Sequence, residues 1–290
     1  MSPDALADKQ NPDGGWPYGR GSSWTEPTAY AVLAMLAAGE KARARKAIAW
    51  LKCLERSDGG WRPRPGVEES TWVTALAALV PREEFGRAAH DRAVGWLIDA
   101  AGAESGAVVR LRSWLLGEAP NPDVQFAGWP WLEGSAAWVE PTALAILALD
   151  KEPGRAKARQ RAAEGRRFLM SRRCPAGGWN HGSTHALGYA TKEYPETTGR
   201  ALAALGGEPK PELERSIGLA RTFLGESRSA DAINWLRLGL TAQGALPQRY
   251  RPPEGVVCRT VPEIALDLLI SAGPAGYSLL LGHPPDERTQ

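Results

Sequence analysis

Gly59-Gly60-Trp61 is the stretch that decides the fold of this chain, because it recurs along the sequence. The same three residues stand at Gly14–Trp16 and at Gly177–Trp179, and a shortened form, Gly128–Trp129, lies between them. The tryptophans at positions 16 and 61 are 45 residues apart, a period within the range of helical-pair repeats. Glycine permits the positive φ of a tight turn, so the indole can fold back over a helix end. We therefore assign the stretch a structural role.

Two kinds of helix are predicted between these turns. Small, nearly all-apolar segments begin at Glu26, Glu69, Glu140 and Glu196, and the remaining candidates for the six inner helices are Glu104–Leu116 and Ala230–Ala242. A further apolar helix is predicted over Val261–Ala272. They should be buried on most faces. Amphipathic helices are predicted over Lys41–Glu55, Glu84–Ala100, Arg155–Arg172 and Pro211–Leu224. This alternation is typical of an inner helical ring wrapped by an outer one, and it predicts an all-α fold, an (α/α)6 toroid, as one domain over residues 1–290. We expect an extended loop over Leu246–Arg259.

Composition excludes several classes of partner. The 290 residues are 43% hydrophobic and 23% charged, and 35 basic against 33 acidic residues leave a net charge of +2. No basic stripe stands out, so nucleic acid is not an expected partner. No apolar stretch approaches the roughly 20 residues of a membrane-spanning helix, and the first residues lack the pattern of a secretory signal. Three widely spaced cysteines, Cys53, Cys174 and Cys258, fit a reducing cytoplasm.

The turns also carry a resemblance to a known repeat. The tract Trp50-Leu51 … Glu55 … Gly59-Gly60-Trp61 resembles the QW repeat of squalene–hopene and oxidosqualene cyclases. Phe168-Leu169 … Arg173 … Gly177-Gly178-Trp179 is similar, and Gln10 before Gly14–Trp16 keeps the repeat's glutamine, which Glu55 and Arg173 replace. Through its periodicity the resemblance covers nearly the whole chain. It implies the toroid of the terpene-cyclase and prenyltransferase superfamily.

The resemblance also implies two candidate catalytic acids. Class II cyclases protonate an alkene or epoxide with the middle aspartate of Asp-x-Asp-Asp-Thr-Ala at the start of an inner helix. The similar tract here is Trp138-Val139-Glu140-Pro141-Thr142-Ala143, with Glu140 at the position of the acid, and Trp24–Ala29 offers Glu26 as a second match. The other aspartates of the motif are absent. The alternative interpretation is that each glutamate stabilises the positive end of a helix, which would lower its pKa.

Aromatic side chains near the predicted starts of the inner helices are the candidate binding residues. In cyclases such aromatic faces stabilise carbocations and shape a hydrocarbon pocket. The resemblance therefore implies an isoprenoid or other apolar ligand as the partner, held in a central cavity. Stacking on a sugar and packing of the barrel ends are the alternatives. The candidates are Trp24, Trp72, Phe126, Trp129, Trp131, Trp138, Tyr189 and Trp235.

No cofactor is expected. Prenyltransferases hold zinc with an Asp-x-Cys motif and class I synthases hold magnesium with Asp-Asp-x-x-Asp, and neither motif occurs here. Cys174, His181 and His185 could share a zinc ion, but Gly182 argues against the helix that would align the two histidines. We favour histidines that are hydrogen-bonded within a loop. Peripheral membrane contact has no support in the sequence.

Four arginines lie inside predicted apolar inner helices. A buried arginine needs an acidic partner, and Glu26, Glu69, Glu140 and Glu196 are available. We therefore expect a polar network at the mouth of the barrel, serving either ion pairing or anion binding. The arginines are Arg110, Arg112, Arg200 and Arg237. The functional hypotheses are a cyclase-like protein that holds and transforms an apolar ligand, a non-catalytic scaffold, and a carbohydrate-active toroid.

Overall fold

The chain is all-α in the part that the structure, a computed structural model, describes: residues 2–103, 126–186, 189–207 and 210–282. Two short antiparallel pairs join the helices, β1 (Trp129–Pro130) with β2 (Ala137–Trp138) and β3 (His185–Ala186) with β4 (Tyr189–Ala190). The helices are α1 (Pro3–Ala7), α2 (Thr25–Ala37), α3 (Lys41–Lys52), α4 (Val73–Leu79), α5 (Arg82–Phe85), α6 (Arg87–Asp99), α7 (Val139–Asp150), α8 (Ala156–Ser171), α9 (Pro195–Ala204), α10 (Lys210–Glu226), α11 (Ala230–Ala242), α12 (Val261–Ser271) and α13 (Pro274–Leu281).

Six helices of the described residues form a closed inner ring. Each contacts the next in the order α2, α4, α7, α9, α11 and α12, and α12 packs against α2 to complete the circle. Helices α3, α6 and α8 pack outside α2, α4 and α7, while α10 covers α9 and α11 and α13 covers α12 and α2. The inner helices bury nearly every side chain, because they are surrounded by neighbours on most faces. This is the double ring predicted from the alternation of apolar and amphipathic segments.

The sequence interpretation needs correction at one inner helix. Helix α4 begins at Val73, so Glu69 is not at its start but lies exposed in the preceding loop. The reason is that Thr71 forms β-bridges with Trp61 and Leu132 and keeps the chain extended up to that point. Thr74 of α4 thus corresponds to Thr28 of α2, and the residue equivalent to Glu26 is Trp72.

Helix α12 completes the ring because it packs against both α11 and α2, although the sequence predicts its segment only as a further apolar helix beyond the six inner candidates. The segment Glu104–Leu116, predicted as one of those six, lies outside the described residues, as do Arg110 and Arg112. The predicted loop between α11 and α12 is confirmed, since the chain is neither helical nor extended in a sheet over residues 243–260. No helix among the described residues has both the length and the apolar character needed to cross a membrane.

The recurring tryptophans tie the two rings together. Each indole N–H donates to a leucine carbonyl of an outer helix or, for Trp16, of the short helix α1. Each tryptophan backbone N–H donates to a threonine Oγ1 of an inner helix. For Trp61 the two bonds reach Leu51 of α3 and Thr74 of α4, each at 2.9 Å. The other sets are Trp16 with Leu6 and Thr28, Trp129 with Leu97 and Thr142, and Trp179 with Leu169 and Thr198.

Glycine is required in the turn before Trp61 for two separate reasons. Gly59 has φ +86°, a conformation that other residues rarely adopt. A Cβ on Gly60 would lie 2.5 Å from the Ser70 side chain. Asp58 completes the turn, because its carboxylate accepts from the Gly60 N–H at 2.9 Å and from the Ser70 hydroxyl at 2.8 Å. The structural role predicted for the Gly-Gly-Trp stretch is therefore confirmed.

A second recurring bond joins each repeat to the next at the N-terminal ends of the inner helices. The carbonyl two residues after each recurring tryptophan accepts the N–H at the start of the preceding helix of the ring. Pro63 thus accepts from Thr25 of α2 at 2.9 Å, and Tyr18 accepts from Val261 of α12 at 2.7 Å, which closes the ring. The remaining pairs are Trp131 with Trp72 and His181 with Val139.

We predict that Trp61→Phe lowers the free energy of unfolding by about 2–4 kcal/mol, because the Leu51 carbonyl loses its donor and the smaller ring leaves a void. Urea denaturation measures the change. Trp138→Phe is the matched control, since 38% of the Trp138 surface is exposed, and it should shift stability by less than about 0.5 kcal/mol. Equal effects at both positions would show that the indole bonds do not hold the rings together.

Helices α9 and α11 approach each other so closely that only glycine fits between them. A Cβ on Gly199 would lie 2.4 Å from the backbone carbonyl carbon of Trp235, and a Cβ on Gly239 would lie 2.4 Å from the Gly199 carbonyl oxygen.

We predict that Gly199→Ala destabilises the chain by at least about 2 kcal/mol through overpacking. Gly218→Ala, on the exposed face of α10 with open space around it, should stabilise by up to about 1 kcal/mol. Thermal denaturation of the two variants, with opposite shifts expected, tests this packing.

Candidate functional site at the mouth of the inner ring

The candidate site lies at the N-terminal ends of the inner helices, which we call the mouth. Helices α2, α7, α9 and α11 each carry an acidic residue in their first turn: Glu26, Glu140, Glu196 and Asp231. The recurring backbone bonds hold these ends together, so side chains from helices distant in sequence meet here. Two of the four, Glu26 and Glu140, are the candidate acids.

Arg200 of α9 is the centre of the mouth's ion-pair network. Its Nε lies 3.3 Å from Glu140 Oε1, and its Nη2 lies 3.2 Å from Asp231 Oδ2. The guanidinium also stands 4.8 Å from the ring centroid of Trp235. Burial disfavours the charged form, but the two carboxylates outweigh it and keep the pKa of Arg200 above its usual value. Arg200 is therefore a fixed cation.

Glu26 lies in a different environment from the carboxylates that Arg200 binds. The Tyr18 hydroxyl donates a hydrogen bond to Glu26 Oε2. Burial among protein atoms, followed by the nearby charge of Glu140, raises the pKa of Glu26 to about 7; the Tyr18 bond and Arg200 oppose this rise only in part. Glu26 therefore keeps its proton to a higher pH than an exposed glutamate does.

Glu140 is also displaced upward, but it is held by a cation. Burial raises its pKa, and the ion pair with Arg200 offsets part of the rise. The direction is opposite to that expected for a carboxylate whose main role is to stabilise a helix N-terminus. About 14% of the Glu140 side-chain surface is exposed, so the carboxylate is enclosed on most sides yet reached from the mouth.

Two aromatic side chains fill the interior beneath these charges. Tyr30 of α2 and Trp235 of α11 meet edge to face, with ring centroids 6.3 Å apart. Helices α2 and α11 are not neighbours in the ring, because α12 stands between them, so the two side chains meet across its interior. Both residues are almost completely buried, at 1% and 0% exposure.

The other predicted aromatic residues divide into rim, wall and surface positions. Trp24 at the rim packs on Tyr18, and Trp72 packs edge to face on Trp131 with centroids 4.7 Å apart. Trp129 is buried in the wall between the rings, under the Arg161 guanidinium, and Phe126 lies 5.6 Å from Arg167 of α8. Trp138, near His181, and Tyr189 are exposed at 38% and 79%. The structure thus brings Glu26, Glu140 and Trp235 together, with Trp24 at the edge of the group.

Sequence reasoning missed three members of this group: Tyr18, Tyr30 and Asp231. Tyr30 had a detectable signal, because it stands four residues after Glu26 and shares its helical face. Asp231 was visible as an acid in the first turn of a predicted inner helix. Tyr18 lies in a loop and had no periodicity to mark it.

The expected polar network is present, although Arg200 pairs with Asp231 besides the predicted Glu140, and Arg237 pairs with Asp267 at 3.2 Å.

In the part of the chain that the structure describes, no three histidine, cysteine or acidic side chains converge as metal ligands. Cys174 is buried, and burial raises the pKa of its thiol. Asn180, the residue before His181, forms hydrogen bonds within the loop: it accepts from the N–H of Gly182 at 2.9 Å and donates to the Ser183 carbonyl at 2.7 Å.

Comparison with known proteins yields structural similarity only. No protein-family model matches the chain, and no curated protein sequence matches it. Among solved structures, a variant of the type II terpene cyclase MstE from Scytonema, in complex with its substrate geranylgeranyl dihydroxybenzoate, superposes with a TM-score of 0.45 at 16% sequence identity. The match covers 96% of this chain and 81% of that one.

We predict that Glu26 makes stability fall as pH rises. The pKa of Glu26 is about 7 in the folded chain against an ordinary value of 4.5, so between these pH values the folded state holds a proton that the unfolded state releases. Raising the pH from 5 to 8 should therefore cost roughly 2 kcal/mol, allowing for solvent screening. In Glu26→Gln this part of the loss should vanish, as measured by urea unfolding across the pH range.

The control for this titration is Glu69→Gln, which replaces an exposed glutamate outside the mouth. Its stability should follow the same pH dependence as the unmodified chain. If the curve for Glu26→Gln also ran parallel to that of the unmodified chain, Glu26 would not carry the proton.

Proposed function

We propose that this chain binds an isoprenoid or other apolar ligand at the mouth of the inner ring and transforms it by acid–base catalysis, with Glu26 as the proton donor. The observation that carries the proposal is a partly buried glutamic acid, Glu26, which is hydrogen-bonded to Tyr18 and has a raised pKa, near a second carboxylate, Glu140, that is ion-paired with Arg200. Pairs of carboxyl groups with separated protonation states are the usual means by which one site supplies both an acid and a base.

The two glutamates have distinct roles in this proposal. Glu26 lacks a directly bound cation in the described structure and has Tyr18 to stabilise the carboxylate left after proton transfer. Glu140 is bound to Arg200, so its negative charge persists and faces positive charge that develops on the ligand. Of the two predicted acids, the geometry therefore favours Glu26 as the donor and Glu140 as the electrostatic partner.

The aromatic residues support an apolar ligand. Trp24, Trp72 and Trp131 are partly exposed around the mouth, and Tyr30 and Trp235 form the floor beneath it. Aromatic faces bind hydrocarbon by burial of apolar surface, and their negative faces stabilise positive charge. An acid with a pKa near the working pH is suited to general acid catalysis.

The test is incubation of the purified protein with linear isoprenoids, including squalene and prenyl diphosphates, and analysis of the products by gas chromatography and mass spectrometry. We expect a new cyclic, hydrated or isomerised product. Its rate should fall at least about 100-fold in Glu26→Gln. In Glu140→Gln the rate should also fall, because the carboxylate that stabilises positive charge on the ligand and pairs with Arg200 is lost. Glu69→Gln should retain full activity.

Unchanged substrates together with no ligand retained by the protein would overturn this function. Retention of an isoprenoid without any product would leave a binding protein. Equal loss of activity in Glu69→Gln would show a general effect of charge rather than acid catalysis at the mouth.

A carbohydrate-active protein is the second candidate, favoured by one observation. Trp138, His181 and Tyr194 form a chain of ring contacts at the surface, with centroid distances of 6.1 and 5.2 Å, beside the paired carboxylates of the mouth. Exposed aromatic rings of this kind bind the faces of sugars. Release of reducing sugar from oligosaccharides, lost in Glu26→Gln and in Trp138→Ala, would establish this function in place of the isoprenoid one.

A further inference from the structure

Tyr30 and Trp235 each bury a polar group that has no hydrogen-bond partner in the described structure. The groups are the Tyr30 hydroxyl and the Trp235 Nε1–H. The recurring tryptophans show the contrast, since Trp16, Trp61, Trp129 and Trp179 all donate their indole N–H to a carbonyl. An unpaired buried polar group costs about 1–3 kcal/mol. Two side chains whose rings contact each other across the ring interior both carry such a group, which indicates a place where something else supplies an acceptor.

The charges nearby define what that acceptor is. Arg200 adds two further buried donors without a hydrogen-bond partner, Nε and Nη1, but the positive charge of Arg200 is already offset by Glu140 and Asp231. With Glu26 also present, carboxylates outnumber cations around Tyr30. An anionic group such as a diphosphate would meet net repulsion here. A neutral oxygen can accept from the donors without that cost.

Tyr30 remains a donor over the whole physiological range. Burial raises the pKa of its phenol well above the ordinary value, and the negative charges of Glu26 and Glu140 act in the same direction. The indole N–H of Trp235 is a donor only. The floor of the mouth thus offers two hydrogen-bond donors to a ligand oxygen, although the Tyr30 hydroxyl oxygen can also accept a hydrogen bond.

We propose that the ligand of this site is a neutral, otherwise apolar molecule that carries an acceptor oxygen, such as a hydroxyl, carbonyl or ether group, which binds to Tyr30 and Trp235. The inference rests on the proposed ligand site at the mouth and adds the class of ligand that it selects. It separates oxygenated ligands from plain hydrocarbons, which leave the donors unpaired, and from diphosphates, which the carboxylates repel.

The experiment compares three probes of equal carbon number by titration calorimetry: farnesol, the hydrocarbon farnesene and farnesyl diphosphate. We expect farnesol to bind at least about tenfold more tightly than farnesene, as one satisfied buried hydrogen bond implies, and farnesyl diphosphate to bind most weakly. In Tyr30→Phe the affinity for farnesol should fall towards the affinity for farnesene. The affinity for farnesene itself should be the same as in the unmodified chain. Tyr277→Phe, in the outer helix α13, is the matched control and should alter neither.

Three results would overturn the proposal: equal affinities for farnesol and farnesene, tightest binding of the diphosphate, or binding of none of the probes. If a water molecule were the only acceptor, Tyr30→Phe would be more stable than the unmodified chain and would bind farnesol equally well. That result would also overturn the proposal. Repeating the titrations in Glu26→Gln separates the two proposals. Selective farnesol binding there, in a chain that forms no product, would sustain the ligand class even if acid catalysis failed.

Discussion

The double hydrogen bond of the recurring tryptophans is the interaction on which the rest of the structure depends. One indole N–H holds an outer helix and one backbone N–H holds an inner helix, so each tryptophan fixes the distance between the two layers. The glycines before it exist to let the chain turn sharply enough for both bonds to form. Since the same geometry occurs four times among the described residues, the inner helices α2, α4, α7 and α9 are held in the same way and begin at a common level.

This common level explains how a polar site forms in an apolar ring. Carboxylates placed in the first turns of several inner helices meet at the mouth, although their positions in the sequence are far apart. Their mutual repulsion and burial would be unfavourable without Arg200, which binds two of them. Glu26 is left outside that pairing, and burial together with the charge of Glu140 raises its pKa. The chemistry proposed for the site follows from three acids around one cation that pairs with only two of them.

Much of the fold could be predicted, because helical periodicity and a recurring turn are local properties of the sequence. The alternation of inner and outer helices and the structural role of Gly-Gly-Trp both came from such patterns. The site was predicted less completely. Glu140 and Glu26 stood in recognisable tracts, whereas the pairing of Tyr30 with Trp235 depends on contact across the ring, which no spacing reveals. The alignment of Glu69 with Glu26 failed because a β-bridge at Thr71 delays the start of α4.

Tyr18 combines two functions that are usually separate. Its carbonyl accepts the bond from Val261 that joins the last inner helix to the first, and its hydroxyl binds the carboxyl group of Glu26. The contact that closes the ring between α12 and α2 is therefore made by the same residue that hydrogen-bonds the candidate acid Glu26. If the ring opened between α12 and α2, Tyr18 would move and Glu26 would lose its hydrogen-bond donor. Closure of the ring and the acidity of Glu26 are therefore coupled through one residue.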